Sequence, residues 1–416
     1  MQTFSFRALL AYGLFGLPLA LVALPIYVYV PQFYAEQFGL SLTMIGGALL
    51  MARVFDAFID PALGLWIDRR RPGTGYGRFI LLASPAMAAG FIALFHPPAM
   101  AGARPFGWFL ASLILVYAGF SLATIAYQCW GAALTQARSQ RARLTATREG
   151  CGLVGVIVAA ALPTVAGIGW LSAVFVVALL AGAAVLLKAA PRPRAGVRSA
   201  DAGSVLYSLL EPFRNRRFRW LFAVFVVNGI AAAIPATLFL FFAKDRLQLA
   251  QYSGLFLILY FVAAAVSMPM WATLARRFGE ARAWLLSMAV AVAAFAWVFG
   301  LSAGAAVPFG VICVMSGIAL GGDLALPPAL LAAVIDRAGH SAQREGAYFG
   351  AWSWATKMNL ALAAGIALPL LERLGYVPGN VDTSGTAALS IAYAVLPCAL
   401  KLVAGALLWR APLNDL

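Results

Sequence analysis

The chain has 416 residues, of which 63% are hydrophobic and 11% charged, whereas an ordinary soluble domain carries roughly 25% charged residues. That balance excludes a soluble enzyme or nucleic-acid binder. The formal charge of +15 does not restore the latter, because the basic residues gather in short segments between apolar blocks.

Apolar stretches able to cross a bilayer, each needing roughly 20 residues, recur near 8–33, 42–66, 79–96, 106–134, 147–168, 171–190, 218–243, 252–275, 283–301, 306–335, 346–371 and 385–409. The first follows Arg7 and is too long for a signal-peptide core, so it reads as a retained helix. Its Pro18, Pro25 and Pro31 are spaced to kink or open it. The predicted fold is an all-α membrane protein of twelve transmembrane helices in two six-helix halves, 1–190 and 218–416. A cytoplasmic linker at 191–217 joins them and ends in an amphipathic segment, SVLYSLLEPF before RNRRFRW.

Most Lys and Arg residues fall in the even-to-odd junctions, for example Arg69, Arg70, Arg71 and Arg78, or Arg276, Arg277 and Arg282. Cytoplasmic loops retain basic residues, which places both termini inside and, in a bacterium, the protein in the inner membrane. Arg148-Glu149-Gly150 and Arg344-Glu345-Gly346 open the fifth and eleventh spans, as duplicated halves would.

The second span, MARVFDAFIDPALGLWIDRRR, puts Arg53, Asp56 and Asp60 on one helix face at spacings of three and four. An ionised side chain at mid-membrane costs about 2.5–3.5 kcal/mol even on the lowest insertion scales, so three of them call for partners or a watered cavity. Two neighbouring carboxylates repel when both are ionised, which raises their affinity for a proton or small cation. A structural ion pair of Arg53 with one Asp is the competing reading. Lys357 in the eleventh span would balance the set. Asp323 in the tenth lies between Gly321-Gly322 and Pro327-Pro328, where the helix is expected to break and open a cavity. By depth, its partners would be Lys357 and Arg53, while Lys401 would snorkel toward the inner surface.

Gly64-Leu65-Trp66-Ile67-Asp68-Arg69 has GxxxDR spacing, in which Gly64 permits close helix approach and Asp68 and Arg69 latch a neighbouring helix. It resembles the loop motif of the major facilitator superfamily. Taken with YVYVPQFYAEQFGLS, ARVFDAFIDPALGLWIDR, YQCWGAALT and TKMN, the chain resembles the glycoside-pentoside-hexuronide:cation symporters, the melibiose permease family.

That resemblance implies a cation-coupled, alternating-access transporter of a small organic solute. Asp56, Asp60, Arg53 and Lys357 would form its coupling site, and Trp130 and Arg148 would match substrate-side positions. Tyr127, Trp352, Ser353 and Asp323 complete the candidate substrate set. The family's acidic sugar ligands fall at Ala20 and Ala126, which offer no hydrogen-bond acceptor in their side chains. An amphipathic lipid-like or drug-like substrate is therefore the alternative, and a non-transporting membrane sensor or assembly partner is the reading from another class. A family amide oxygen is replaced by Ile59 and a hydroxyl of the fourth helix by Ala123, which favours H⁺ over Na⁺ as the coupling ion. Neither enzymatic activity nor a cofactor, metal or nucleic-acid partner is expected. Cys129, Cys151, Cys313, Cys398, His96 and His340 lack disulfide or metal-ligand spacing, and an HExxH motif is absent. The expected partners are a small-molecule substrate, the coupling cation and the lipid bilayer, with the protein a monomer.

Overall fold

A computed structural model describes residues 4–99, 104–135, 138–192, 211–339, 345–379 and 383–413. Among these, twelve helices are long and apolar enough to cross a membrane. They are α1 (Phe6–Phe38), α2 (Leu42–Gly64), α3 (Gly75–Phe95), α4 (Pro105–Leu134), α5 (Arg143–Val165), α6 (Ile168–Ala189), α7 (Arg216–Arg246), α8 (Ala250–Phe278), α9 (Glu280–Gly300), α10 (Ala306–Arg337), α11 (Ala347–Arg373) and α12 (Gly385–Arg410). A helix satisfies its own backbone donors and acceptors, which hydrocarbon cannot do for it. The linker residues 193–210, and with them most of the predicted amphipathic segment, lie outside the described residues; Glu211–Arg214 forms a 3-10 turn.

The residues form two compact units. One contains Met1–Val30 and Met51–Ala200; the other contains Pro31–Leu50 and Asp201–Leu416. Residues 31–50, the end of α1 and the start of α2, thus cluster with the second unit. There the Lys244 ammonium pairs with Glu36 at 2.6 Å.

Local sequence explains the breaks. α2 and α3 are separated at Gly75, whose φ of 67° is a backbone conformation that suits glycine. Of the three prolines in α1, one interrupts it. Pro18 has no N–H for the carbonyl four residues earlier, and the chain turns at Leu14–Phe15, where the Leu17 amide instead donates to Leu14 at 3.1 Å. The helix then runs without interruption from Gly16 to Phe38, so the expected opening at Pro25 and Pro31 does not occur. Likewise α10 is one helix from Ala306 to Arg337 through Pro327 and Pro328, against the expected break beside Asp323.

The glycines of α10 serve packing. A Cβ on Gly317 would lie 2.9 Å from the Ala263 Cβ, and one on Gly321 would lie 2.7 Å from the Ala264 carbonyl oxygen of α8. This four-residue spacing of small side chains lets two helix backbones touch. Trp271 of α8 then donates its indole N–H to the Ile318 carbonyl at 2.7 Å. Trp271 and Trp284 are among the largest buried side chains and anchor the second unit's apolar core. In the first unit Phe91 of α3 meets Phe175 of α6 at 4.5 Å.

Two of the second unit's helices contain π turns, Phe242–Arg246 in α7 and Ile391–Val395 in α12. Phe242 and Tyr393 stack between them, their ring centroids 4.2 Å apart. In the α7 turn the Leu247 amide reaches back five residues to the Phe242 carbonyl, at 3.0 Å.

Candidate functional site

In the first unit, Arg53 and Asp56 are both buried, 5% and 2% exposed. Their side chains meet at 3.4 Å, one helical turn apart on α2. α4 completes the surroundings. The Ser121 hydroxyl donates to the Asp56 carboxylate, and the Arg53 guanidinium lies over the Tyr117 ring, 4.0 Å from its centroid. A cation over an aromatic face and a hydroxyl on a carboxylate both lower the cost of holding charge away from water.

Asp60 follows one turn further along α2, half-buried. The Thr124 Oγ1 atom of α4 is buried and makes no hydrogen bond among the described residues. Ser121 and Thr124 are three apart and share a helix face. Sequence reasoning looked for a hydroxyl at Ala123 and, finding none, gave α4 no oxygen. The structure corrects this, because the helix delivers its hydroxyls one turn apart on either side of that register. α2 and α4 together carry two carboxylates and one base.

The second unit holds a different constellation. Asp323 accepts from the Asn228 amide of α7 at 3.1 Å and the Trp284 indole of α9 at 2.8 Å, both on one oxygen. Its other oxygen meets the Lys401 ammonium of α12 at 2.7 Å. Lys401 also donates to the Asn228 side-chain oxygen at 2.8 Å. The expected partners Lys357 and Arg53 are thus replaced by Lys401, which does not snorkel to a surface. Glycine packing explains the enclosure: a Cβ on the adjoining Gly322 would come within 2.6 Å of the Ser287 Cβ. Lys357 is half-buried on α11 of this same unit.

Other expected substrate residues are engaged in packing. Tyr127 is fully buried and stacks on Tyr12 at 4.6 Å. The two exchange hydroxyl-to-carbonyl hydrogen bonds between α4 and α1, at 2.7 and 3.2 Å. Trp130, 5% exposed, donates its indole N–H to the Pro191 carbonyl at 2.8 Å. Trp352 stacks on Phe225 of α7 at 3.6 Å within the apolar core. Arg148 pairs with the adjacent Glu149 at 2.6 Å, and Ser353 is exposed on α11. Of the latch, Gly64 faces open space rather than a neighbouring helix, a correction to the close approach expected there. The side chains of Asp68 and Arg69 lie outside the described residues.

Twelve apolar helices, with charge held at mid-span in both units, define a secondary transporter of a small organic solute. The chain matches the family described as MFS/sugar transport protein over residues 9–415 and belongs to it. An uncharacterized symporter of Bacillus subtilis (strain 168) is 22% identical over 411 residues, covering 90% of this chain and 86% of the relative. The isoprimeverose transporter of Lactiplantibacillus pentosus is 23% identical over 376 residues, covering 86% and 78% respectively. Among solved structures, the nucleoside transporter NupG is similar with a TM-score of 0.74 at 13% identity, covering 98% of this chain and all of that one, which shows a shared fold.

Proposed function

We propose that this transporter couples movement of its solute to a monovalent cation carried by Asp56 and Asp60. The supporting observation is the pair of carboxylates one turn apart on α2, with Asp56 buried beside Arg53. Neighbouring carboxylates repel when both are ionised, which favours binding of a proton or a small cation between them. A proton is the proposed ion, because Ile59 supplies no side-chain oxygen beside Asp60. The Ser121 and Thr124 hydroxyls make Na⁺ its competitor, since that ion needs several oxygen ligands. Lys357, Trp130, Arg148 and Ser353 are retained as candidate contributors.

The solute is proposed to be sugar-like, in keeping with the isoprimeverose transporter, but recognised without carboxylates at positions 20 and 126. Ala126 is fully buried, and a small apolar side chain there supports the second reading, an amphipathic solute. Both readings are tested with purified protein in liposomes. Accumulation of a labelled glycoside should follow an imposed pH gradient and fail in the Asp56→Asn/Asp60→Asn variant. Uptake that requires a Na⁺ gradient and ignores pH would reverse the choice of ion. A lipid-analogue panel transported in place of glycosides would reverse the choice of solute.

A further inference from the structure

Arg246 closes α7 at the end of that helix farthest from the basic cluster Arg214, Arg216, Arg217 and Arg219. It is the last residue of the π turn and lines a cavity of about 180 Å³ with Phe299, Thr386, Ala387 and Ser390. Its two neighbours in the turn have partners: Lys244 holds Glu36, and the Asp245 carboxylate accepts from the Gly379 amide at 3.0 Å and from the Tyr376 hydroxyl. The Arg246 Nε is buried away from solvent and has no hydrogen-bond partner among the described residues. A buried guanidinium N–H with no acceptor carries the full cost of desolvation, which an oxyanion in the cavity would remove.

The walls indicate the source of that oxyanion. Thr386 and Ser390 are four apart on α12 and line the cavity, with the Ser390 hydroxyl donating to the Thr386 carbonyl at 2.9 Å. Trp297, Phe299, Ile391 and Val395 around them are 77%, 49%, 47% and 46% exposed. These are exposed apolar side chains on membrane-spanning helices, with Trp297 and Phe299 at the end of α9, where Trp settles at headgroup depth. The cavity is smaller than the roughly 300–1,000 Å³ of typical small-molecule pockets. It suits a phosphate group whose attached chains lie outside it.

We propose that Arg246, in the cavity lined by Thr386 and Ser390, binds the phosphate of an anionic phospholipid whose acyl chains run along Phe299, Ile391 and Val395. The site is independent of the coupling residues and of the solute. Its test is native mass spectrometry of the purified transporter titrated with phosphatidylglycerol, with phosphatidylcholine and inorganic phosphate as separate arms. Wild type should retain phosphatidylglycerol over phosphatidylcholine. Arg246→Gln should weaken that retention roughly tenfold, the factor expected for losing one charge-assisted hydrogen bond.

Ser390→Val narrows the cavity without changing charge and should weaken retention as well; if Arg246→Gln does not fold, this variant decides. Equal phosphatidylglycerol affinity in wild type and the folded variants would overturn the proposal. So would an Arg246-dependent stabilisation by inorganic phosphate with no preference for the anionic lipid, which would mark a soluble-anion site instead.

Discussion

The two units bury charge in opposite ways. Around Asp323 every charge has its counterpart: one carboxylate, one ammonium, and an amide and an indole that use the remaining capacity. Around Asp56 the carboxylate meets a guanidinium and a hydroxyl, the guanidinium lies over a ring face, and a second carboxylate follows one turn along the helix. Removing either partner of the first cluster strands a buried charge. The contrast sets a closed charge network on α7, α9, α10 and α12 against the proposed coupling carboxylates of α2.

The largest expected effect comes from breaking the saturated cluster. Lys401→Met leaves Asp323 buried without its cation and should cost about 3–5 kcal/mol. That would be read as a large fall in the detergent melting temperature or loss of folded protein. Pairing it with Asp323→Leu should recover much of the loss, since an apolar pair of similar volume is often tolerated where a lone charge is not. A mild phenotype for Lys401→Met alone would show that the clasp is not structural.

Next comes the α2 cluster. Asp56→Asn/Asp60→Asn removes both carboxylates at nearly constant volume and leaves the buried Arg53 without its countercharge, so melting should fall while gradient-driven accumulation disappears. Exchange of solute across the membrane, which needs no net ion movement, should survive. A double variant that still accumulates solute would erase the functional difference between the two clusters.

A finer change sharpens the same comparison. Ser121→Ala deletes the hydroxyl that donates to the Asp56 carboxylate. A hydrogen bond to a charged group contributes about 1.5–3 kcal/mol, so the melting temperature should fall by a corresponding amount. Smallest of all, Gly64→Ala meets open space and should change stability by about 1 kcal/mol or less, with the helix favouring alanine. Gly322→Ala, facing the Ser287 Cβ, should cost about 1–3 kcal/mol.

The twelve spans were readable because hydropathy and length are properties of each segment alone, and the predicted and observed bounds differ by only a few residues. Asp56 and Arg53 were readable because a charge at mid-span stands out. Partnership was harder, since it depends on depth across helices. Asp323 lies seventeen residues past Ala306, and Lys401 sixteen past Gly385 on a helix of the same direction. Asn228 lies eighteen residues before Arg246, and Trp284 sixteen before Gly300, on helices of opposite direction. Counting from the common membrane face would have matched all four; judging Lys401 by its nearness to the inner end did not. Ser121 was missed for a related reason, because a fixed family register at Ala123 displaced the simpler question of which hydroxyls share the face of α4.

The π turn of α7 has a consequence for how the chain tolerates change. One extra residue in a helical turn rotates everything beyond it by about 100° relative to an uninterrupted α-helix. Here that rotation accompanies Lys244 on Glu36, Asp245 on Tyr376 and Gly379, and Arg246 at its cavity. Tightening the turn to an ordinary α-turn at constant chain length would move all three side chains out of phase together, although none would be mutated. Substitutions of the three side chains act one contact at a time, whereas a change in the type of turn acts on all of them at once.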